Sequence, residues 1–116
     1  MKNEFDMKVY KKIYKEIIKA LTDEVECGQD ELLKSKDEDC FSARMALCYC
    51  MSGHITDGEI SKLTGLSQQI ISRNKILFPS RKRQSTTIRI FERIINETID
   101  RQIAIYKQTT NTAQQT

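Results

Sequence analysis

Asp57-Gly58-Glu59-Ile60-Ser61-Lys62-Leu63-Thr64-Gly65-Leu66-Ser67-Gln68-Gln69-Ile70-Ile71-Ser72-Arg73-Asn74-Lys75 is the stretch whose reading decides the fold. Thr56 and Glu59 have the Thr-x-x-Glu spacing of a capping box, which predicts a helix start at this point. A short helix over 58–64 is stopped by Gly65, a residue that takes positive φ without steric cost. Ser67 then offers an N-cap for a second helix beginning at Gln68. Two short helices joined this closely must cross steeply, so a small residue is needed where they meet and apolar residues must pack behind the turn. Ser61 fits the crossing, Leu66 fills the space behind the turn, and Ile60, Leu63, Ile70 and Ile71 supply the shared apolar side, with one or both of the last two facing inward. The stretch therefore reads as a helix-turn-helix.

The flanking segments are helical too. Phe5, Val9, Ile13, Ile17 and Leu21 step by four, with Tyr10, Tyr14 and Ile18 widening the stripe, so a helix is predicted from Phe5 to about Cys27 and stopped by Gly28. A short segment, Asp30-Glu31-Leu32-Leu33, and an acidic loop, Lys36-Asp37-Glu38-Asp39, lead to a helix starting near Phe41 or Ser42. That helix is apolar on nearly every side as far as Met51, the pattern of a central buried element. Beyond the quoted stretch the second helix is expected to end at about Leu77, because Pro79 disfavours helix at Phe78. Arg81-Lys82-Arg83 reads as a basic loop. A last helix over 86–107 carries the stripe Ile88, Phe91, Ile95, Ile99 and Ile103, with Ile94 beside it. The prediction is a single all-α domain of about five helices over residues 1–107, followed by a disordered polar tail over 108–116, rich in Thr and Gln.

Composition agrees with this and narrows the function. The chain has 116 residues, enough for one domain, with one Pro, four Gly and no Trp, which disfavours turn-rich β architectures. No run approaches the roughly 18 apolar residues of a membrane span, and the first residues read as no secretory signal, so a cytoplasmic domain is expected. The formal net charge of +3 is small, but its distribution is uneven. Residues 1–41 hold eight Lys against eleven acidic residues, whereas 42–116 hold eleven Lys and Arg against five. Between Ser72 and Arg93 lie Arg73, Lys75, Arg81, Lys82, Arg83, Arg89 and Arg93, opposed only by Glu92. Such a concentration is the electrostatic footprint of a phosphate-binding surface.

On the second helix of the quoted stretch, the outward positions are Ser67, Gln68, Gln69, Ser72 and Arg73. Gln can pair bidentately with adenine and Arg with guanine, while Ser reaches bases or phosphates. The expected site is thus Ser67, Gln68, Gln69, Ser72 and Arg73 in the major groove of double-stranded DNA. Lys75, Arg81, Lys82 and Arg83 are expected to hold phosphates. The long terminal helices offer surfaces for a homodimer, which a two-fold operator would require. The rival reading is a helical protein-interaction adaptor whose basic patch meets an acidic partner.

These residues resemble the C-terminal DNA-binding domain of the bacterial chromosomal replication initiator family, DnaA, whose fold belongs with the Trp-repressor-like helix-turn-helix proteins. The resemblance covers roughly residues 9–78. Glu31-Leu32-Leu33-Lys34-Ser35-Lys36 looks like the family's Leu-Leu-Ser-Lys segment. Ala43-Arg44 with Tyr49 fits its Ala-Arg-x-x-x-x-Tyr pattern, and Glu59-Ile60 with Gly65 is similar to its Glu-Ile-Gly-x-x-Phe-Gly helix. The family's Asp-His-Thr-Thr-Val is replaced here by Ser67-Gln68-Gln69-Ile70-Ile71, so a different DNA sequence is expected. The family's basic loop ahead of the central helix is acidic here, and no nucleotide-binding domain or phosphate loop accompanies the motif. The resemblance implies a Trp-repressor-like fold and a DNA-facing surface in a divergent relative without the ATPase domain, serving transcription or replication.

Other chemistry is sparse. Cys50 and His54 stand one turn apart, a spacing that can share a metal, but Cys48 and Cys50 cannot face one ion from a continuous helix. Cys27 and Cys40 complete a set without any Cys-x-x-Cys, and buried thiols behave as small hydrophobes. No metal, cofactor or small-molecule ligand is expected, and with one His and no nucleophile–base pair the chain does not read as an enzyme.

Overall fold

The computed structural model describes residues 7–115, with side chains described from 7 to 108. Over these residues the chain is all-helical, with α1 (Met7–Val25), α2 (Gln29–Lys34), α3 (Glu38–Met51), α4 (Asp57–Thr64), α5 (Gln68–Gln84) and α6 (Thr86–Gln115). No helix among them is long and apolar enough to cross a membrane.

The predicted stripes explain the packing. On α1, Tyr10, Ile13, Tyr14, Ile17, Ile18 and Leu21 are buried, and on α6 Ile88, Phe91, Ile95 and Ile99 are buried against them and α3. Phe5, the first member of the α1 stripe, lies outside the described residues. Helix α3 is buried on almost every side and packs chiefly against α6 and α5, so it is the axis of the core. Its one buried charge has a structural use. The Arg44 guanidinium, 8% exposed, donates to the Leu32 carbonyl at 2.8 Å and the Ser35 carbonyl at 2.9 Å. It thereby satisfies carbonyls at the end of α2 and ties that helix to the core. Burial lowers the Arg44 pKa from its ordinary value.

Several boundaries differ from the sequence reading. The acidic run is not a loop: Asp37 caps α3 by accepting from the Asp39 N–H at 3.2 Å, and Glu38 and Asp39 occupy the first turn, where carboxylates complement the helix dipole. At the end of α1 the left-handed position falls on Glu26, with φ 61°, and Gly28 instead caps α2, its N–H donating to Glu31 Oε1 at 3.0 Å. Helix α6 continues past Lys107 to Gln115.

The largest difference is α5, which runs through Pro79 to Gln84, so Arg81, Lys82 and Arg83 form its last turn rather than a loop. Proline removes one backbone hydrogen bond, to the Lys75 carbonyl, and crowds the preceding turn. Tertiary contacts outweigh that loss. Phe78, the residue Pro79 would push out of helix, is 1% exposed and is held in it by stacking on Tyr49 of α3 with ring centroids 4.3 Å apart. The three cations favour the negative end of the helix dipole, and Arg89 Nη1 donates to the Lys82 carbonyl at 2.8 Å. Ser85 alone separates α5 from α6. Its N–H closes α5 on the Lys82 carbonyl, and its hydroxyl accepts from the Ile88 N–H to open α6.

Candidate nucleic-acid interface

The α4–α5 pair is held by polar bonds drawn from the residues between Thr56 and Ser67. The capping box is complete: Thr56 Oγ1 accepts from the Glu59 N–H at 3.1 Å, and Glu59 Oε1 accepts from the Thr56 N–H at 2.8 Å. Gly65 closes α4 in the left-handed region at φ 80°. Across the turn, Ser61 donates its hydroxyl to the Leu66 carbonyl at 2.6 Å, which is why a small hydroxyl residue suits the crossing. Ser67 Oγ accepts from the Ile70 N–H at 3.2 Å and starts α5. Ile60 and Ile71 are fully buried behind the turn, with Leu63 and Leu66 packed against them.

Three residues turn the inner side of α5 to the core: Ile71, Asn74 and Phe78. Asn74 Nδ2 lies 3.6 Å from Cys48 Sγ, so this buried amide is engaged with α3. At 100° per residue the opposite side carries Gln69, Ser72, Arg73 and Ile76. Gln68, Gln69, Ser72 and Arg73 together line one shallow hollow of about 700 Å³, with Asp57, Ile76 and Leu77. Ile70 turns the other way and is 45% exposed, so Ile71 alone of that pair faces inward.

The predicted cations do not form one cluster. Lys75 points back to α4, where its Nζ lies 2.8 Å from Asp57 Oδ1. The pair is partly exposed, so its net contribution to stability is small; it does neutralise the one carboxylate bordering the hollow. Lys82 points toward α6 and pairs with Glu92 at 2.9 Å, while also lying 6.0 Å from the Phe78 ring centre. Arg81 reaches toward α3, its guanidinium 5.9 Å from the Phe41 ring. Arg83 is exposed and follows the line of Gln69 and Ile76 at seven-residue steps. Arg73, Arg81 and Arg83 form no ion pair among the described residues.

Two neighbouring features escape the sequence reading. Ile76, 75% exposed, belongs to the same hollow, and its spacing from Gln69 and Ser72 was the available signal. A second groove of about 640 Å³ lies beside α5, walled by Leu33, Phe41, Ile70 and Leu77, with Lys34, Arg73 and Arg81 on its border. Lys34 comes from the acidic first third of the chain, so no count along the sequence places it there.

The thiols serve the core. Burial pushes Cys50 up to about 12 and also raises Cys48. No group of three or more His, Cys, Asp or Glu able to hold a metal ion occurs among the described residues. Comparison with protein-family models, with curated proteins and with solved structures finds no match to this chain.

Proposed function

We propose that this chain is a sequence-specific binder of double-stranded DNA, a transcriptional or replication-associated regulator. In this reading α4 and α5 form a helix-turn-helix and α5 enters the major groove. The observation that carries it is the hollow on α5, where Gln68, Gln69, Ser72 and Arg73 share one exposed surface. Among the described residues its only carboxylate, that of Asp57, is neutralised by Lys75. Two Gln side chains and one Arg in that position match the donor and acceptor pattern of adenine and guanine edges. Arg81 and Arg83 are the cations available for phosphates, whereas Lys75 and Lys82 reach a phosphate only by giving up a carboxylate. A buried central helix ahead of a capped helix pair is also what a Trp-repressor-like fold and kinship with the initiator family's DNA-binding domain would require.

Selection of bound sequences from a random duplex pool, followed by binding measured across salt concentrations, tests the proposal. Affinity should fall linearly in log–log form with added salt. Changing Arg81, Lys82 and Arg83 to Ala should weaken every duplex and flatten that slope, while Gln68→Ala with Gln69→Ala should relax sequence preference. Absence of duplex binding at low salt refutes the proposal. The apolar groove bordered by Lys34, Arg73 and Arg81 favours a second reading, an adaptor for an acidic protein partner. Protein binding without duplex binding would support it.

A further inference from the structure

We propose that Ile76 reads the 5-methyl group of a thymine, which makes the target a duplex with a thymine about three base pairs from the adenine met by Gln69. The inference rests on the DNA-binding reading above and adds a specificity-determining residue to it.

Ile76 is the most exposed of the large apolar side chains described, at 75%. It has no route into the core. Ile71, Asn74 and Phe78 define the inward side of α5, and at 100° per residue Ile76 falls almost opposite them. No described side chain covers it, which leaves its apolar surface open to a partner. An isolated exposed isoleucine needs no explanation on an ordinary surface. This one shares a hollow with two glutamines, a serine and an arginine, the side chains suited to base edges. It stands seven residues after Gln69, two helical turns on, so the two lie nearly in line and about 10 Å apart along the axis. At about 3.4 Å per base step that separation is roughly three base pairs.

The major-groove edge of the bases presents a single apolar group, the thymine methyl, and apolar side chains discriminate thymine by contact with it. Gln69 at one end of the line would take adenine N6 and N7, with Ser72 and Arg73 between. Ile76 at the other end meets the methyl. Leu77, on the same hollow, widens the apolar surface that receives it.

Deoxyuridine differs from thymidine in lacking only this methyl, so it provides the test. In the duplex selected by the full chain, each thymine is replaced singly by deoxyuridine, and affinity is measured for the unsubstituted chain and for Ile76→Ala. Because Ile76 is exposed, Ile76→Ala should keep the helical circular dichroism and melting temperature. One thymine position should show about a four-fold loss with the unsubstituted chain, the effect of returning one methyl group to water. That loss should vanish in Ile76→Ala. If the duplex binds but no single replacement weakens it, or Ile76→Ala keeps the same sensitivity, the role of Ile76 is overturned while DNA binding stands. If Ile76→Ala weakens all duplexes equally and shifts the oligomeric state, Ile76 is a contact between copies and the proposal also falls. Absence of duplex binding by the unsubstituted chain removes both readings.

Discussion

Changing Gly65 and Gly58 separately to Ala isolates what the α4–α5 turn demands of the backbone. Gly65 has φ 80°, and a Cβ built there meets nothing within 4 Å. The cost of Gly65→Ala is therefore conformational and not steric. A left-handed residue costs about 1–2 kcal/mol for an L side chain, offset by about 0.4–1 kcal/mol from the stiffer unfolded chain. The net expected loss is about 1 kcal/mol. Gly58 lies within α4 at ordinary helical angles, and a Cβ there meets Gln68 Nε2 at 3.6 Å and Thr56 Oγ1 at 3.8 Å, normal contacts. Ala is favoured over Gly in a helix by up to about 1 kcal/mol, and in the first turn about half of that is expected. The two variants should separate by about 1.5 kcal/mol in opposite directions, roughly 6 °C in melting temperature for a chain of this size. Urea unfolding followed by far-ultraviolet circular dichroism measures both, with equal m values confirming that only stability changed. Gly65→Asn should recover most of the loss, because Asn tolerates the left-handed region. If Gly65→Ala is neutral, or Gly58→Ala is as damaging, the left-handed turn is not what joins these helices.

Other outcomes follow from the packing. Pro79→Ala should raise stability by about 1–3 kcal/mol by restoring the hydrogen bond to the Lys75 carbonyl; a lower urea midpoint would refute this. Cys27 and Cys40 have sulfurs 3.9 Å apart on either side of α2. A small-molecule disulfide oxidant should therefore convert the two thiols to one bond, its own sulfurs leaving as two thiols. The cross-link should add about 3 kcal/mol by closing a short loop; intact mass showing only mixed disulfides with the oxidant refutes this. In the fold, burial pushes Tyr14 up to about 12, from an ordinary value of 10, and Cys50 up to about 12, from 9. Both groups ionise more readily when unfolded, so stability should hold below pH 9 and fall as pH rises from there to 12. Urea midpoints at about pH 8 and about pH 11 check the sign, and Cys50→Ala should flatten the decline. Tyr14 Oη is buried without a hydrogen-bond partner among the described residues, and Gln29 offsets part of its shift without closing to bonding geometry. Tyr14→Phe should thus be neutral or stabilising.

Much of this fold is legible wherever a signal is local. The stripes of α1 and α6 repeat within their own helices, and Thr56, Gly65 and Ser67 act on neighbours three or four residues away. Pro79 misleads because its local effect is real but is outweighed by Phe78 stacking on Tyr49, residues 29 positions apart. Asp37 misleads because three acids in a row look like solvated loop, when the first is a cap and the others its first turn. The candidate site shows the same division. Helical spacing places Gln69, Ser72 and Arg73 on one side, as the structure does. The charge count over 73–93 could not see that Lys75 is held by Asp57 and Lys82 by Glu92, partners 18 and 10 residues away. Nor could it see that consecutive cations on a helix diverge by 100°, which scatters Arg81, Lys82 and Arg83 in three directions.

The junction at Ser85 makes the chain intolerant of length change at one point. One residue inserted between Ser85 and Thr86 would turn all of α6 by about 100° about its axis. Ile88, Phe91, Ile95 and Ile99 would then leave the core together, and the Arg89 bond to the Lys82 carbonyl would break with them. The connection between α3 and α4, five residues from Ser52 to Thr56, is fixed in its own way: Ile55 is buried in the core, its N–H bonds to the Met51 carbonyl, and Thr56 caps α4. Relatives of this chain should accordingly keep the spacing from Phe78 to Phe91 constant.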